Sequence, residues 1–338
     1  MRRALLVAGG GSSFTLPPEP PDFGQALPGS FTKSGSSPII SNGAAGTWRS
    51  GWVDGVAIFR DTRINRYVVT VGGWDGSKYQ TGIFYIDSLA DVYAGTETPE
   101  EEATNPVFSP VGGISNIVAW TTMQMPDGTY RAYWQNYTGT DTIHLCTSSD
   151  RTTWTHQNGG SPVLSPTGAA TFDQTAVFDP FPRLRADGKT ELWYAGKNAA
   201  DARAIGMALL DTDGITVLSR GQEFTPDFGN GDVSGGFGAV APIGSSETSF
   251  GVFCDHRYAV YGTGRSIDYR YTTDGSTYTR VWDVLTPDNV GWDAIQVFDS
   301  APMWADGVLY LLHCGGDLSG DATGINAKVG IAKVDWPA

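Results

Sequence analysis

Sustained helical periodicity is missing from all 338 residues of this chain: apolar residues nowhere keep the three- and four-residue spacing of an amphipathic helix. The fold class expected is therefore all-β. Cysteine is scarce, and Cys146, Cys254 and Cys314 form an odd set with no paired spacing. That excludes a disulfide framework and leaves three small, buried hydrophobes. Histidine occurs four times, without the spacing of a zinc site, and His313 beside Cys314 has no partner motif. No apolar run approaches the roughly 18 residues that span a bilayer, so no membrane partner is expected. The opening MRRALLVAGGG resembles a secretion signal, but its apolar core, Ala4 to Ala8, is shorter than the roughly 7 to 15 residues such a signal needs. Positive charge is short as well, with 22 Lys and Arg against 36 Asp and Glu, a net charge of −14 and a pI near 4.6. A nucleic-acid partner is excluded on that ground, because phosphate binding needs clustered cations.

What the chain does have is rhythm. A short apolar phrase closed by an aspartate recurs five times, ending at Asp87, Asp150, Asp211, Asp274 and Asp335, with spacings of 63, 61, 63 and 61 residues. A β-branched residue opens each copy: Ile83, Ile143, Ile205, Ile267 and Val329. Two further strand signals precede each phrase, for example VDGVAIF then RYVVTVGGW, and IQVFDSAPMW then VLYLLHCGG. Asp-Gly turns separate them at Asp127-Gly128, Asp187-Gly188 and Asp306-Gly307. A period of this length marks a radial array, and each unit has room for four short strands. The expectation is a five-bladed β-propeller over residues 46–338, with blades at about 46–110, 111–166, 167–226, 227–287 and 288–338. A small sheet cannot bury both faces alone, so blades must stack into one domain. Residues 1–45 carry GGGSS, PPEPP and SGSS runs and no copy of the phrase. They read as an extended N-terminal arm that attaches the propeller to a partner protein.

Two segments carry the resemblance to known proteins. FDQTAVFDP (Phe172 to Pro180) and WDAIQVFDS (Trp292 to Ser300) share the pattern aromatic-Asp-x5-Asp. This resembles the five-bladed β-propeller glycosidases, the arabinanase, xylosidase and invertase-like families. The resemblance implies that an acid early on the innermost strand of a blade points into a central pocket. It also implies hydrolysis by a base, a general acid and a third carboxylate that adjusts the acid. Aligning the opening strands places Asp54, Asp179 and Asp299 at equivalent inner positions of blades one, three and five. Blade two offers Trp120 there, and blade four only small residues near Ala239. Many relatives use a glutamate as acid. None lies on an opening strand here, since Glu191 and Glu247 fall on or beside second strands. An aspartate serves if burial or like charge raises its pKa.

The starts of first strands and the loops between second and third strands of a propeller share one face. That rule gathers flat aromatics (Trp52, Trp74, Trp120, Trp292), amides (Gln135, Asn136), acids (Asp173, Asp255, Asp293) and the basic or imidazole groups His256, Arg257 and His313. Apolar ring faces beside planar polar groups suit a sugar. No cofactor is expected, although oxygen ligands in the channel could take Ca²⁺. The turns SSDRTTWT (Ser148 to Thr155) and TTDGSTYT (Thr272 to Thr279) resemble clipped sialidase-type turns and are expected to be structural. Carbohydrate recognition is the function expected first, in a virion appendage or other exported assembly, because polymeric glycans lie outside cells and the MRR-LL-GGG start resembles phage structural proteins. The alternatives are an inverting glycoside hydrolase with Asp54 as base and Asp179 or Asp299 as acid and modulator, and a purely structural virion protein.

Overall fold

The computed structural model describes residues 21–110, 116–137, 139–225, 232–258, 264–288, 290–317 and 326–336, excluding the side chains of 232–238 and 257–258. Twenty strands form five four-stranded antiparallel sheets. Blade one is β2 (Trp52–Asp61), β3 (Arg66–Trp74), β4 (Tyr79–Ile86) and β5 (Glu100–Glu101). Blade two is β6 (Ile117–Gln124), β7 (Tyr130–Asn136), β8 (Thr142–Ser148) and β9 (Thr155–His156); blade three is β10 (Ala176–Leu184), β11 (Thr190–Lys197), β12 (Arg203–Leu210) and β13 (Val217–Phe224). Blade four is β14 (Asp232–Ile243), β15 (Phe250–Tyr258), β16 (Arg265–Thr272) and β17 (Thr279–Leu285). Blade five has β18 (Gln296–Ala305), β19 (Val308–Gly316) and β20 (Lys328–Asp335), and takes its outermost strand from the start of the chain, β1 (Thr32–Lys33), in the order β1-β20-β19-β18.

That fourth strand closes the ring. Thr32 pairs with Lys333 and Lys33 with Ala332, and Ile40 bridges Val329. Phe23, Phe31 and Ile40 are buried, and Phe23 packs edge-on against Trp304 and Trp336. The segment 21–45, expected as part of an extended arm, is thus built into the propeller: among the described residues blade five has three strands from its own repeat, and β1 supplies the fourth. Residues 1–20 lie outside the described residues. Phe23→Ala is expected to cost about 3–5 kcal/mol, the usual loss for a buried aromatic, read as an earlier urea midpoint.

The five inner strands β2, β6, β10, β14 and β18 contact one another in a ring. A void of about 20 Å³ on the axis is lined from all five of them, by Val56, Ala119, Pro180, Ala239 and Ser300 among others. Every inner strand is interrupted by a bulge, between Asp54 and Ala57, Val118 and Thr121, Phe178 and Phe181, Phe237 and Val240, and Phe298 and Ala301. The first extra residue adopts left-handed φ in four blades: Gly55 at 61°, Ala119 at 49°, Asp179 at 51° and Asp299 at 48°. Such a residue bends the strand and re-aims the neighbouring side chains. This register corrects the alignment made from sequence: Gly55 is the partner of Asp179 and Asp299, and Asp54 comes one residue earlier. In blade two Ala119 holds that place, and Trp120 falls beyond it.

The aromatic of the aromatic-Asp pattern is a staple for its own blade. Trp48, Phe172 and Trp292 each lie over two glycines on the second and third strands: Gly73 and Gly82, Gly196 and Gly206, Gly315 and Gly330. A Cβ on any of these six would stand 2.2–2.6 Å from the ring. The neighbouring polar residue then holds the outermost strand. Arg49 reaches Glu101 of β5 at 2.6 Å, Asp173 meets Arg220 of β13 at 2.6 Å and Asp293 meets Lys33 of β1 at 2.5 Å. Trp292, Asp173 and Asp293, expected among the sugar-binding groups, are therefore blade staples. The two sialidase-like turns are structural: Asp150 accepts N–H bonds from Thr152 and Thr153, Asp274 from Ser276 and Thr277. Trp154 packs on Trp120, and Tyr278 on Trp193 and Phe250.

Candidate active site

The inner strands open on one face into a central cup of about 220 Å³. Asp54, Asp179 and Asp299, from blades one, three and five, line it together with Gln135, Asp141, Lys197, Arg203, Arg265, Tyr79 and Tyr137. Asp179 and Asp299 also line the narrow axial void beneath, so they form the floor. Closure of the ring brings these acids together, since they lie more than a hundred residues apart in the chain.

Their environments differ. Asp54 is half-buried, and its Oδ1, itself out of contact with solvent, has no hydrogen-bond partner among the described residues. Burial first, then the Asp179 carboxylate, push its pKa up to about 7, against the pull of the Trp52 indole and Arg265. Asp179 is raised to about 6 by burial and by Asp255, while Arg203 and Arg265 pull it down. Its backbone N–H donates to Gln135 Oε1 at 3.4 Å. Asp299 is held well above the usual carboxylate range by burial and then by Asp179, Asp255 and Asp54; its Oδ2 accepts the Gly55 N–H at 3.0 Å.

Arg265 sits among these acids. It pairs with buried Asp255 at 2.9 Å and lies over the Phe298 ring at 5.4 Å. Burial disfavours its charge, yet Asp255, Asp299 and Asp179 together raise its pKa. Arg203 lies over the Phe178 ring at 4.7 Å, which fixes the guanidinium at the cup wall. Lys197 pairs with Asp201 at 3.2 Å.

The aromatic wall belongs to blade one and its neighbour. Trp52 stacks on Trp74, ring centroids 5.4 Å apart, and donates from Nε1 to the Tyr79 hydroxyl at 3.0 Å. Tyr79 reaches the cup, with the two tryptophans behind it, and Tyr137 stands half exposed at the rim. Burial and then Asp54 raise the Tyr79 pKa, which keeps its hydroxyl a neutral donor and acceptor.

Other residues gathered from the sequence sit elsewhere. Trp120 is fully buried between blades, near Phe108, Trp134 and Trp154, and donates to Thr122. Asn136 pairs with Ile117 and Thr142 in blade two and does not line the cup. Asp255 stands behind the wall, acting through Arg265. His256 is buried on strand β15 with Ser266 at 2.9 Å, Asp268 at 2.9 Å and Arg280 at 3.2 Å. His313 is buried under Trp292, and burial, with Lys33 nearby, pushes its pKa down to about 3. The Arg257 side chain lies outside the described residues. Glu191 is bound to Arg183 at 2.5 Å, and Glu247 to Arg185 at 2.5 Å, neither at the cup. Among the described residues one cluster has metal-ligand geometry, His256, Asp268 and Asp283, with ligand atoms within 4.8 Å of one another. It lies on the outer three strands of blade four and not in the channel, where oxygen ligands could take Ca²⁺. Arg280 bonds both Asp268 and His256, so a guanidinium already supplies the positive charge there.

Sequence reading missed Asp141, Arg203 and Arg265, although a signal was present. Each stands two residues before the β-branched opener of its repeat, Ile143, Ile205 and Ile267. That position begins or immediately precedes the third strand at the cup, and blades one and five hold Thr81 and Ala327 there.

No family model matches the sequence, and no curated protein matches it. Solved structures similar over nearly the whole chain include glycoside hydrolases. One is a glycoside hydrolase, 14% identical with a TM-score of 0.66, over 92% of this chain and 95% of that one. Another comes from work on the GH130 family of mannoside phosphorylases, which contains hydrolases of β-1,2 mannosidic linkages in Candida mannan; it is 16% identical with a TM-score of 0.66, over 96% and 98%. A third is an α-L-arabinofuranosidase from Podospora anserina in complex with cellotriose, 11% identical with a TM-score of 0.65, over 90% and 96%. At such identities the likeness is one of fold, the five-bladed propeller of glycoside hydrolases and phosphorylases.

Proposed function

We propose that the central cup binds the terminal sugar of a glycan and hydrolyses its glycosidic bond. The observation that carries this reading is the convergence of three half-buried aspartates from three blades on one cup, with unequal hold on their protons. Asp54, raised to about 7, keeps a proton near neutrality and donates it to the leaving oxygen. Asp179, lower at about 6 beside Arg203 and Arg265, is largely ionised at the same pH and serves as the base toward water. These roles reverse those expected from the sequence for an inverting hydrolase, where Asp54 was the base. Asp299 lies on the floor, held above the usual carboxylate range by burial and its acidic neighbours and fixed by the Gly55 N–H.

The cup, at about 220 Å³, is smaller than the roughly 300–1,000 Å³ of a drug-sized site, which suits one sugar ring. Tyr79 and Tyr137 supply the apolar face and Gln135 the planar polar group. Tyr137→Ala is expected to weaken binding roughly 10-fold, as loss of one aromatic platform does, without unfolding a side chain already half exposed. Calorimetric titration with mono- to tetrasaccharides from mannan, arabinan and xylan reads the effect. Unchanged affinity for every sugar that binds would remove the cup from recognition.

Recognition without turnover is the second reading, favoured by one observation: β2, β6, β10, β14 and β18 carry no glutamate. Under it the tyrosine variant loses binding and no product ever forms from the wild-type protein. Attachment to a virion or another exported assembly would fall to residues 1–20, as 21–45 are part of the propeller.

A further inference from the structure

We propose that the groove along blade three holds the leaving-group side of the same glycan, so that the ligand is a neutral oligosaccharide and not a single glycoside. This rests on the sugar-binding reading of the cup. The groove encloses about 860 Å³, about four times the volume of the cup. Its walls are the loop before β10, the turn between β11 and β12, and the outer strand β13. Arg203 lines both spaces, and Lys197 of the cup is followed in the chain by Asn198 of the groove. A chain of sugars entering the cup by its terminal ring therefore has a continuous path outward over blade three.

The chemistry of the groove fits neutral sugars. Its one carboxylate, Asp173, is cancelled by Arg220 at 2.6 Å and bonded by the Tyr194 hydroxyl at 2.8 Å. Gln174 and Gln222 offer amide groups for hydroxyls, and the Phe172 ring gives an apolar patch. Arg203, the groove cation outside the Asp173–Arg220 pair, also lines the cup, where it and Arg265 act on the Asp179 carboxylate, so neither space offers a cation without a carboxylate beside it, and an uncharged chain suits both ends.

Gly221 provides the test. It lines the groove, and a Cβ built there meets nothing within 4 Å, so Gly221→Trp fills the groove without disturbing the fold. Calorimetry with the monosaccharide and tetrasaccharide of the mannan, arabinan and xylan series is the measurement. The wild-type protein is expected to bind the tetrasaccharide of its series at least roughly 10-fold tighter than the monosaccharide. Gly221→Trp should lose that advantage and leave monosaccharide affinity unchanged; the double variant Gln174→Ala/Gln222→Ala should lose part of it, and guards against misfolding of the tryptophan variant. Equal affinity for both lengths in the wild-type protein, or an advantage that survives both variants, overturns the groove while leaving the cup intact. Binding of no probe at all, monosaccharide included, overturns the cup and the groove together.

Discussion

Asp54→Asn is expected to lower kcat by about 10²–10⁴-fold, the usual worth of a positioned general acid, while glycan affinity changes little. The amide keeps the shape of the carboxyl but has no proton to give. In the wild-type protein the rate should fall as pH rises through about 7, when Asp54 loses its proton, and as pH falls through about 6, when Asp179 gains one. Initial rates on the sugar series that binds, from pH 4 to 9, read both limbs. The same substitution has a stability signature of fixed sign. A carboxyl whose folded pKa is raised stabilises fully below its unfolded value, near 3.8, and that contribution is lost as pH rises to about 7. Above that range the half-buried Asp54 carboxylate is a net cost, on the order of 2–4 kcal/mol. Asp54→Asn should therefore be more stable than wild type at pH 8 and no more stable at pH 4. A variant that keeps full activity, or one less stable at pH 8, would remove Asp54 from the chemistry.

Arg265→Met should have the largest effect on folding. Its guanidinium is the cation shared by Asp255, Asp179 and Asp299, and its loss leaves Asp255 buried with neither oxygen paired. Removing one partner of a buried ion pair costs about 3–5 kcal/mol. Urea unfolding at pH 7 measures it. The double variant Arg265→Met/Asp255→Asn should recover much of the loss, since the stranded charge goes with it, and the deficit of the single variant should shrink at pH 4. A deficit that is the same at both pH values and unrelieved by the second substitution would mean that Arg265 acts by packing alone.

The rhythm of about 62 residues was enough to specify five blades, because each strand alternates by its own local pattern and the closing aspartates mark equivalent turns. Asp179 and Asp299 were legible for the same reason. Other features depend on contacts that no local pattern encodes. The bulge that sets Asp54 one residue before Gly55 shows only in strand register; counting seven residues on from the staples Trp48, Phe172 and Trp292 lands on Gly55, Asp179 and Asp299, a clue visible once the staples are known. Trp292 and Trp120 read as platforms because a tryptophan that covers glycines or fills a blade interface looks, in sequence, like one that faces a sugar. Ring closure by Thr32 and Lys33 depends on two residues in a Gly- and Pro-rich segment, too short for any strand signal. Arg203 and Arg265 were not legible because the aspartate pattern marks the first strands, while the cations enter at the starts of the third.

Carboxyl titration of Asp54 tests the central claim most directly. Aspartate labelled with ¹³C at the carboxyl, with the Asp54 signal assigned as the one absent from Asp54→Asn, should titrate with a midpoint near 7. A midpoint near 4, the ordinary aspartate value, would mean that the cup neither buries nor crowds this carboxyl, and the acid role proposed for it would fail.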